Sequence, residues 1–233
     1  MSPDLTVFLL KALIIAPGMI VAITLHEAAH GYVAWKLGDD TAYRLGRVTF
    51  NPIRHIDPMG TIIMPGLILL ATNFSFMFGY AKPVPVNFRQ LRNPRRDMVL
   101  VAAAGPGSNI LIALISAIAL RFVPGTATMT TTIVSEIFMY SVFFNAMIGV
   151  FNMIPLPPLD GGRVAVGLLP NPLAYRLARL ERYGMIILLI ALIGLPLIGQ
   201  QIGRDLNVVG WILRPIVDFV TSLIYLVTGN TAP

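Results

Sequence analysis

Long apolar runs alternate along this chain with short polar stretches, most of them basic. The first run covers about 5–37, with Pro17-Gly18 inside it as a kink or local break, and Gly38-Asp39-Asp40 reads as its stop. A second, about 62–80, is interrupted by Pro65-Gly66 and again by Asn73 and Ser75. Two clean runs follow at about 98–123 and 132–154, and two more at about 184–198 and 206–227. A helix needs roughly 20 apolar residues to cross the hydrocarbon core of a bilayer. The pattern therefore predicts an all-α polytopic membrane protein with five to six membrane-embedded helical segments. One stretch departs from it. Lys82-Pro83-Val84-Pro85-Val86-Asn87 alternates prolines with other residues and reads as a short extended or β element.

Composition sharpens this picture. Of 233 residues, 56% are hydrophobic and 12% charged, and the mean hydropathy is +0.76. That is an integral membrane protein with little mass outside the bilayer, expected to form a single domain over 1–233. Its catalytic core would cover about 5–165 and a C-terminal helical pair about 184–228. The first run is too long for a signal peptide and lacks a basic leader, so it is expected to remain in the mature protein. No cysteine is present, which excludes disulfides, thiolate metal ligands and a thiol nucleophile.

The net charge of +6 comes from a few loops. Lys36, Arg44, Arg47 and Arg54 follow the first run; Lys82, Arg89, Arg92, Arg95 and Arg96 precede the third; Arg163, Arg176, Arg179 and Arg182 lie in the connector after the fourth. The loop 124–131 carries no basic residue. This is positive-inside patterning, with the three basic loops cytoplasmic, and it is not the footprint of nucleic-acid binding. A full crossing by 62–80 would separate two basic loops, so that run is expected to be re-entrant, buried against protein.

Chemistry enters at Thr24-Leu25-His26-Glu27-Ala28-Ala29-His30-Gly31. His26 and His30 are four residues apart, which on a helix puts both imidazoles on one face, able to share a metal ion. Glu27 beside them is placed to take a proton from water activated at that ion. Ionisable groups at membrane depth are costly and usually functional. Two histidines leave a zinc ion, one per chain, short of a ligand. Asp160, in Pro157-Pro158-Leu159-Asp160-Gly161-Gly162, is the best carboxylate, with the two glycines allowing a sharp turn beside it. Asp57 is the alternative, although Pro58 after it also fits a structural cap.

These motifs in this order resemble the site-2 protease family of intramembrane zinc metalloproteases. The resemblance rests on HEAAH at 26–30 and on Asn152-x-x-Pro155-x-Pro157-x-x-Asp160-Gly161-Gly162. Ala104-Gly105-Pro106-x-x-Asn109, 55–61 and 81–87 also resemble that family, the last two its short prokaryotic branch. It covers roughly 20–165 and implies an all-α membrane enzyme that cleaves transmembrane segments of other membrane proteins, often releasing a signalling factor. It implies His26, His30 and Asp160 as zinc ligands, Glu27 as general base, and Asn152 as a residue that holds the substrate or the oxyanion. The implied setting is the cytoplasmic membrane, multi-pass, with the active site towards the cytoplasm; the partners are a transmembrane protein substrate and the lipid bilayer. Many relatives carry a PDZ domain or a CBS pair, for which this chain has no length.

Two further readings stay open on the residues alone. The same ligands would serve a zinc-dependent membrane hydrolase of a non-protein substrate, and a relative with decayed motifs would be a non-catalytic binding protein. His55 is either a loop residue or a second oxyanion donor near the zinc. The edge of Lys82, Val84 and Val86 retains its amide hydrogens, whereas Pro83 and Pro85 remove those of the other edge. That edge either receives an unwound substrate strand or pairs with the protein's own chain while the prolines protect the exposed side.

Overall fold

The computed structural model describes residues 3–71 and 79–231. Ten α-helices appear in this order among the described residues: α1 (Pro3–Lys36), α2 (Thr41–Arg44), α3 (Met64–Ala71), α4 (Pro94–Leu120), α5 (Met129–Asn152), α6 (Asp160–Leu168), α7 (Asn171–Arg179), α8 (Glu181–Leu189), α9 (Leu195–Gln201) and α10 (Val208–Thr228). Five apolar helices are long enough to cross a membrane: Leu13–Lys36 within α1, α4, α5, the continuous run Glu181–Gln201 and α10. The protein is thus a multi-pass, all-α membrane protein, as the hydropathy pattern predicts.

Local chemistry sets the ends. Helix α1 continues uninterrupted through Pro17, so the expected break is absent there. It stops at Gly38, whose φ of 116° takes the chain out of the helix while the Asp39 amide reaches back to Ala34 O. Pro94 opens α4, and Asp97 one turn in accepts from the Asn93 amide. The connector after α5 is helical rather than a loop: α6 and α7 lie there, with Arg176 and Arg179 in the last turn of α7.

Helices α1, α4 and α5 form the packed centre. Gly18 of α1 rests on Ser141 of α5, and Gly149 of α5 rests near Pro106 O of α4. At one end of this bundle, Arg92 N donates to Leu37 O, and Arg95 Nε donates to Gly167 O. All three basic loops therefore gather at the end where α1 finishes and α4 begins.

The run 62–80 contains 72–78, with Asn73 and Ser75, which lie outside the described residues. Its flanks are informative. Tyr80 N donates to Gly60 O at 3.0 Å, and Thr61 Oγ1 donates to Tyr80 O at 3.0 Å. The two ends of the segment are side by side, which is what a re-entrant segment requires. Thr41 Oγ1 also lies 3.4 Å from Gln90 Oε1, joining the flanking loops directly.

Helix α10 adds an unanticipated constraint. Arg121 Nη1 donates to Thr228 O, and Asn230 Nδ2 donates to Ala117 O, so α10 ends beside the end of α4. Its Val220, Ile224 and Tyr225 pack with Ala113 and Ala117 in the same cluster. Helix α10 thus runs parallel to α4, whereas five alternating crossings would make it antiparallel. With α4, α5 and α10 as crossings, the run Glu181–Gln201 would begin and end on one side and so would not itself cross. Because no cysteine is present, single cysteines can test this cleanly. Cysteines at Thr41 and Gln90 will react with an impermeant thiol reagent from one and the same side. Those at Thr126 and Thr231 will react from the other. Reaction of Thr41 and Gln90 from opposite sides would make 62–80 a true crossing; reaction of Thr231 with the Thr41 side would do the same for Glu181–Gln201.

Candidate metal centre

The site is assembled by three elements. Helix α1 contributes His26, Glu27 and His30; helix α4 lies against them; Asp160 arrives at the first position of α6, after the turn that follows α5. His26, His30 and Asp160 are buried and form the one group of three or more metal-ligating side chains among the described residues.

Helix α4 decides how the two imidazoles face. His30 Nδ1 lies 2.7 Å from Val101 O. A carbonyl only accepts, so Nδ1 carries the hydrogen. His26 Nδ1 lies 2.6 Å from Asn109 Oδ1. The Asn109 Nδ2 donates to Ala22 O, again an acceptor, which fixes the amide with its oxygen towards His26. Both histidines therefore hold hydrogen on Nδ1 and turn a bare Nε2 inward. The two Nε2 atoms are 3.1 Å apart, and Asp160 Oδ2 is 3.1 Å from one and 3.2 Å from the other.

Three electron-pair donors thus converge with no hydrogen between them, and Asp160 Oδ2 is buried without a hydrogen-bond partner. The short Nε2–Nε2 separation is for this reason not a hydrogen bond. A tetrahedral zinc ion with ligands at about 2.0–2.1 Å has ligand atoms about 3.3 Å apart. The observed triangle fits such an ion, and its donor set of two imidazoles and a carboxylate is that of catalytic zinc. A carboxylate oxygen facing two bare imidazole nitrogens is satisfied by a cation and not by another donor on the chain.

Glycines make the approach of these elements feasible, by closeness rather than by turning. A Cβ on Gly105 would lie 2.6 Å from His26 Nε2 and closer still to His30 Nε2. Gly161 and Gly162 are helical residues of α6, and their φ angles are not positive. The expected sharp turn is corrected on this point. A Cβ on either would strike backbone of Met153 or Pro157, so what the pair allows is α6 lying directly on the turn after α5.

The remaining predicted residues are placed as follows. The side chain of Asp57 accepts from Gly60 N at 2.7 Å, and Asp57 N donates to Thr61 Oγ1, a capping arrangement outside the metal group. His55 is buried, with Nε2 3.1 Å from Thr49 O and Nδ1 lacking a partner. Asn152 ends α5 and donates to Ile148 O at 3.0 Å, within its own helix. Segment 82–87 belongs to no helix or strand among the described residues. Lys82 N donates to His55 O, Arg47 Nη2 to Lys82 O, Val84 N to Glu27 Oε2 at 2.9 Å, and Asn87 N to the buried Asp39. Side chains and loop thus occupy the edge of Lys82 and Val84. Three of these four bonds are made with side chains and one with the carbonyl of His55, so no neighbouring strand is involved. Val86 makes no contact that bears on this.

Asn109 and Val101 are contributors that residue reasoning did not single out for this purpose. The available signal was their spacing: 101, 105 and 109 are four apart and share one stripe of α4. Replacing Asp160 with Ala will remove the anionic ligand, and zinc will be lost from the purified protein. Asp57→Ala will keep about one zinc and lose only a cap, about 1 kcal/mol of stability. Metal analysis of the two variants decides between them, and zinc retained by Asp160→Ala would hand the role elsewhere.

An apolar helical bundle enclosing a buried His-His-Asp group is a membrane protein with an internal metal centre. The comparisons with known proteins agree. A model of peptidase family M50 matches residues 123–193, which contain Asn152 and Asp160. YwhC of Bacillus subtilis (strain 168), named as a zinc metalloprotease, is 42% identical over 176 residues, 74% of this chain and 76% of its own length. Rip2 of Mycolicibacterium smegmatis, also so named, is 28% identical over 185 residues, 78% of this chain and 67% of its own. Rip2 of Mycobacterium tuberculosis (strain H37Rv) is 28% identical over 188 residues, 80% and 69% respectively. No solved structure matches. The chain belongs to peptidase family M50, the site-2 protease family, and is a zinc metalloprotease.

Proposed function

We propose that this protease hydrolyses peptide bonds within or next to the transmembrane segments of other membrane proteins, from the cytoplasmic side. The observation that carries this is the position of the catalytic group: His26, Glu27 and His30 lie on the membrane-spanning part of α1 itself, Leu13–Lys36. A substrate must therefore reach the site at or near membrane depth. The cytoplasmic orientation follows from the three basic loops gathered at the site's end of the bundle.

His26, His30 and Asp160 hold zinc, which supplies Lewis acidity and makes hydroxide available near neutral pH. Glu27 accepts the proton of the attacking water on its carboxylate and returns it to the leaving amine. The Val84 amide, donating to Glu27 Oε2, fixes the direction of that carboxylate. Asn152 lies at the end of α5, just before the turn that leads to Asp160, and its amide serves to hold the substrate or the developing oxyanion once it turns from Ile148 O. A helical peptide bond is shielded by its own helix, so the substrate must unwind locally.

The deciding experiment is gel-based cleavage of a transmembrane model peptide by the purified chain in detergent, with and without a zinc chelator. Cleavage that stops on chelation and returns with zinc is the expected result. Equal cleavage of a soluble peptide would remove the membrane-substrate reading. No peptide cleavage by zinc-loaded protein would leave the hydrolase of a non-protein substrate.

A further inference from the structure

We propose that Asn145 on α5 acts through Asn109 on α4 as a positioning residue for His26 on α1. The proposal rests on His26 being a metal ligand. Asn109 and Asn145 are both 0% exposed, at the centre of the three-helix bundle. Asn145 Nδ2 donates to Ser141 O at 2.9 Å. A backbone carbonyl accepts only, so this bond fixes which end of the Asn145 amide faces Asn109. It leaves Asn145 Oδ1 to accept from Asn109 Nδ2 at 3.0 Å. The Asn109 Nδ2 also donates to Ala22 O at 3.2 Å, and Asn109 Oδ1 faces His26 Nδ1 at 2.6 Å.

The order of donors is thus set from one end to the other. A carbonyl on α5 orients Asn145, Asn145 and Ala22 O orient Asn109, and Asn109 orients the imidazole. If Asn109 turned over, it would place Nδ2 against His26 Nδ1–H and leave Oδ1 facing two acceptors. The imidazole of His26 would then lose its partner and with it the inward direction of Nε2. Partners of this kind fix the tautomer and ring orientation of a ligand, and their loss weakens metal binding by about 10–100-fold. Helix association is served by Ser116 Oγ to Ser141 Oγ at 2.8 Å; the same hydroxyl lies 3.4 Å from Asn145 Nδ2, a weaker bond than the one to Ser141 O.

The test is a double-mutant cycle read by zinc transfer to a chromogenic chelator from zinc-loaded, full-length protein in detergent, with cobalt absorption spectra as a second readout. Asn109→Leu is expected to release zinc about 10–100-fold faster, and Asn145→Leu about 10-fold faster. Asn145→Leu made on top of Asn109→Leu should add nothing, because the relay is already cut. Ser141→Ala keeps the backbone carbonyl and should leave zinc release and the cobalt spectrum unchanged. Additive effects of the two leucines, or an effect of Ser141→Ala equal to that of Asn145→Leu, would mean packing alone and overturn the proposal. If Asn145→Leu does not fold, Asn145→Asp and Asn145→Ser replace it. The first, held protonated by its burial, donates its O–H to Ser141 O, keeps an oxygen against Asn109 Nδ2 and should hold zinc as wild type does; the second withdraws that oxygen and should not. Equal retention by these two overturns the relay. Wild-type protein that takes up no zinc overturns the metal centre itself, and the proposal with it.

Discussion

Gly105→Ala will abolish zinc binding while the helices remain assembled. The added methyl would point into the space where the two bare Nε2 atoms converge, 2.6 Å from that of His26. Neither imidazole has room to retreat. His30 is tied by Nδ1 to Val101 O and His26 to Asn109 Oδ1, each one turn of α4 away from Gly105. A shift of α4 as a whole would carry both anchors with it. Helix propensity acts the other way, favouring Ala over Gly by up to about 1 kcal/mol within a helix. Expected is metal-free protein with a melting temperature at or above that of wild-type apoprotein, zinc affinity reduced at least about 100-fold, and no cleavage. One bound zinc per chain in Gly105→Ala would refute the geometry described for the centre.

Glu27→Gln will retain about one zinc per chain and lose cleavage, with turnover falling about 10²–10⁴-fold, the usual size of a general acid–base contribution. The side chain is adjacent to His26 in sequence but is not one of the three converging donors. Its carboxylate instead accepts from Val84 N. The glutamine carbonyl accepts the same bond, so segment 82–87 should keep its place and the fold its stability. What is removed is proton affinity alone. Wild-type turnover by Glu27→Gln would eliminate this residue as base, and loss of zinc would make it a ligand. Metal content and cleavage rate on one preparation separate these outcomes.

Much of the centre was legible in the sequence because its ligands come as motifs with short internal spacing. HEAAH declares its geometry within two helical turns, and Asp160 follows from the need for a third ligand. The spans were legible because apolar length is a local property. What escaped was whatever depends on which elements meet. Asn109 reaches His26 across 83 positions, and no local pattern distinguishes an asparagine facing a ligand from one facing a neighbouring helix. Gly161 and Gly162 were correctly noted as special, yet the reason is crowding by the backbone of Met153 and Pro157, which only the folded chain supplies. In segment 82–87 the proline alternation marked two unlike edges without telling which one turns inward. That choice is made by Glu27 and Arg47, distant side chains that bond Val84 N and Lys82 O. The direction of α10 was equally hidden, since hydropathy has no sign along the chain.

The pairing of Gly60 with Tyr80 has a consequence for how the protein tolerates change in length. In polymer terms the residues between them form a loop whose closure is already made by its flanks. Doubling such a loop adds only about 0.6 kcal/mol of closure entropy. The registers of Asp57 on one side and of Val84 against Glu27 on the other are set outside it. Changes in chain length between these two flanks therefore behave as changes in a detachable cassette, and the spacing of His26, His30 and Asp160 stays fixed.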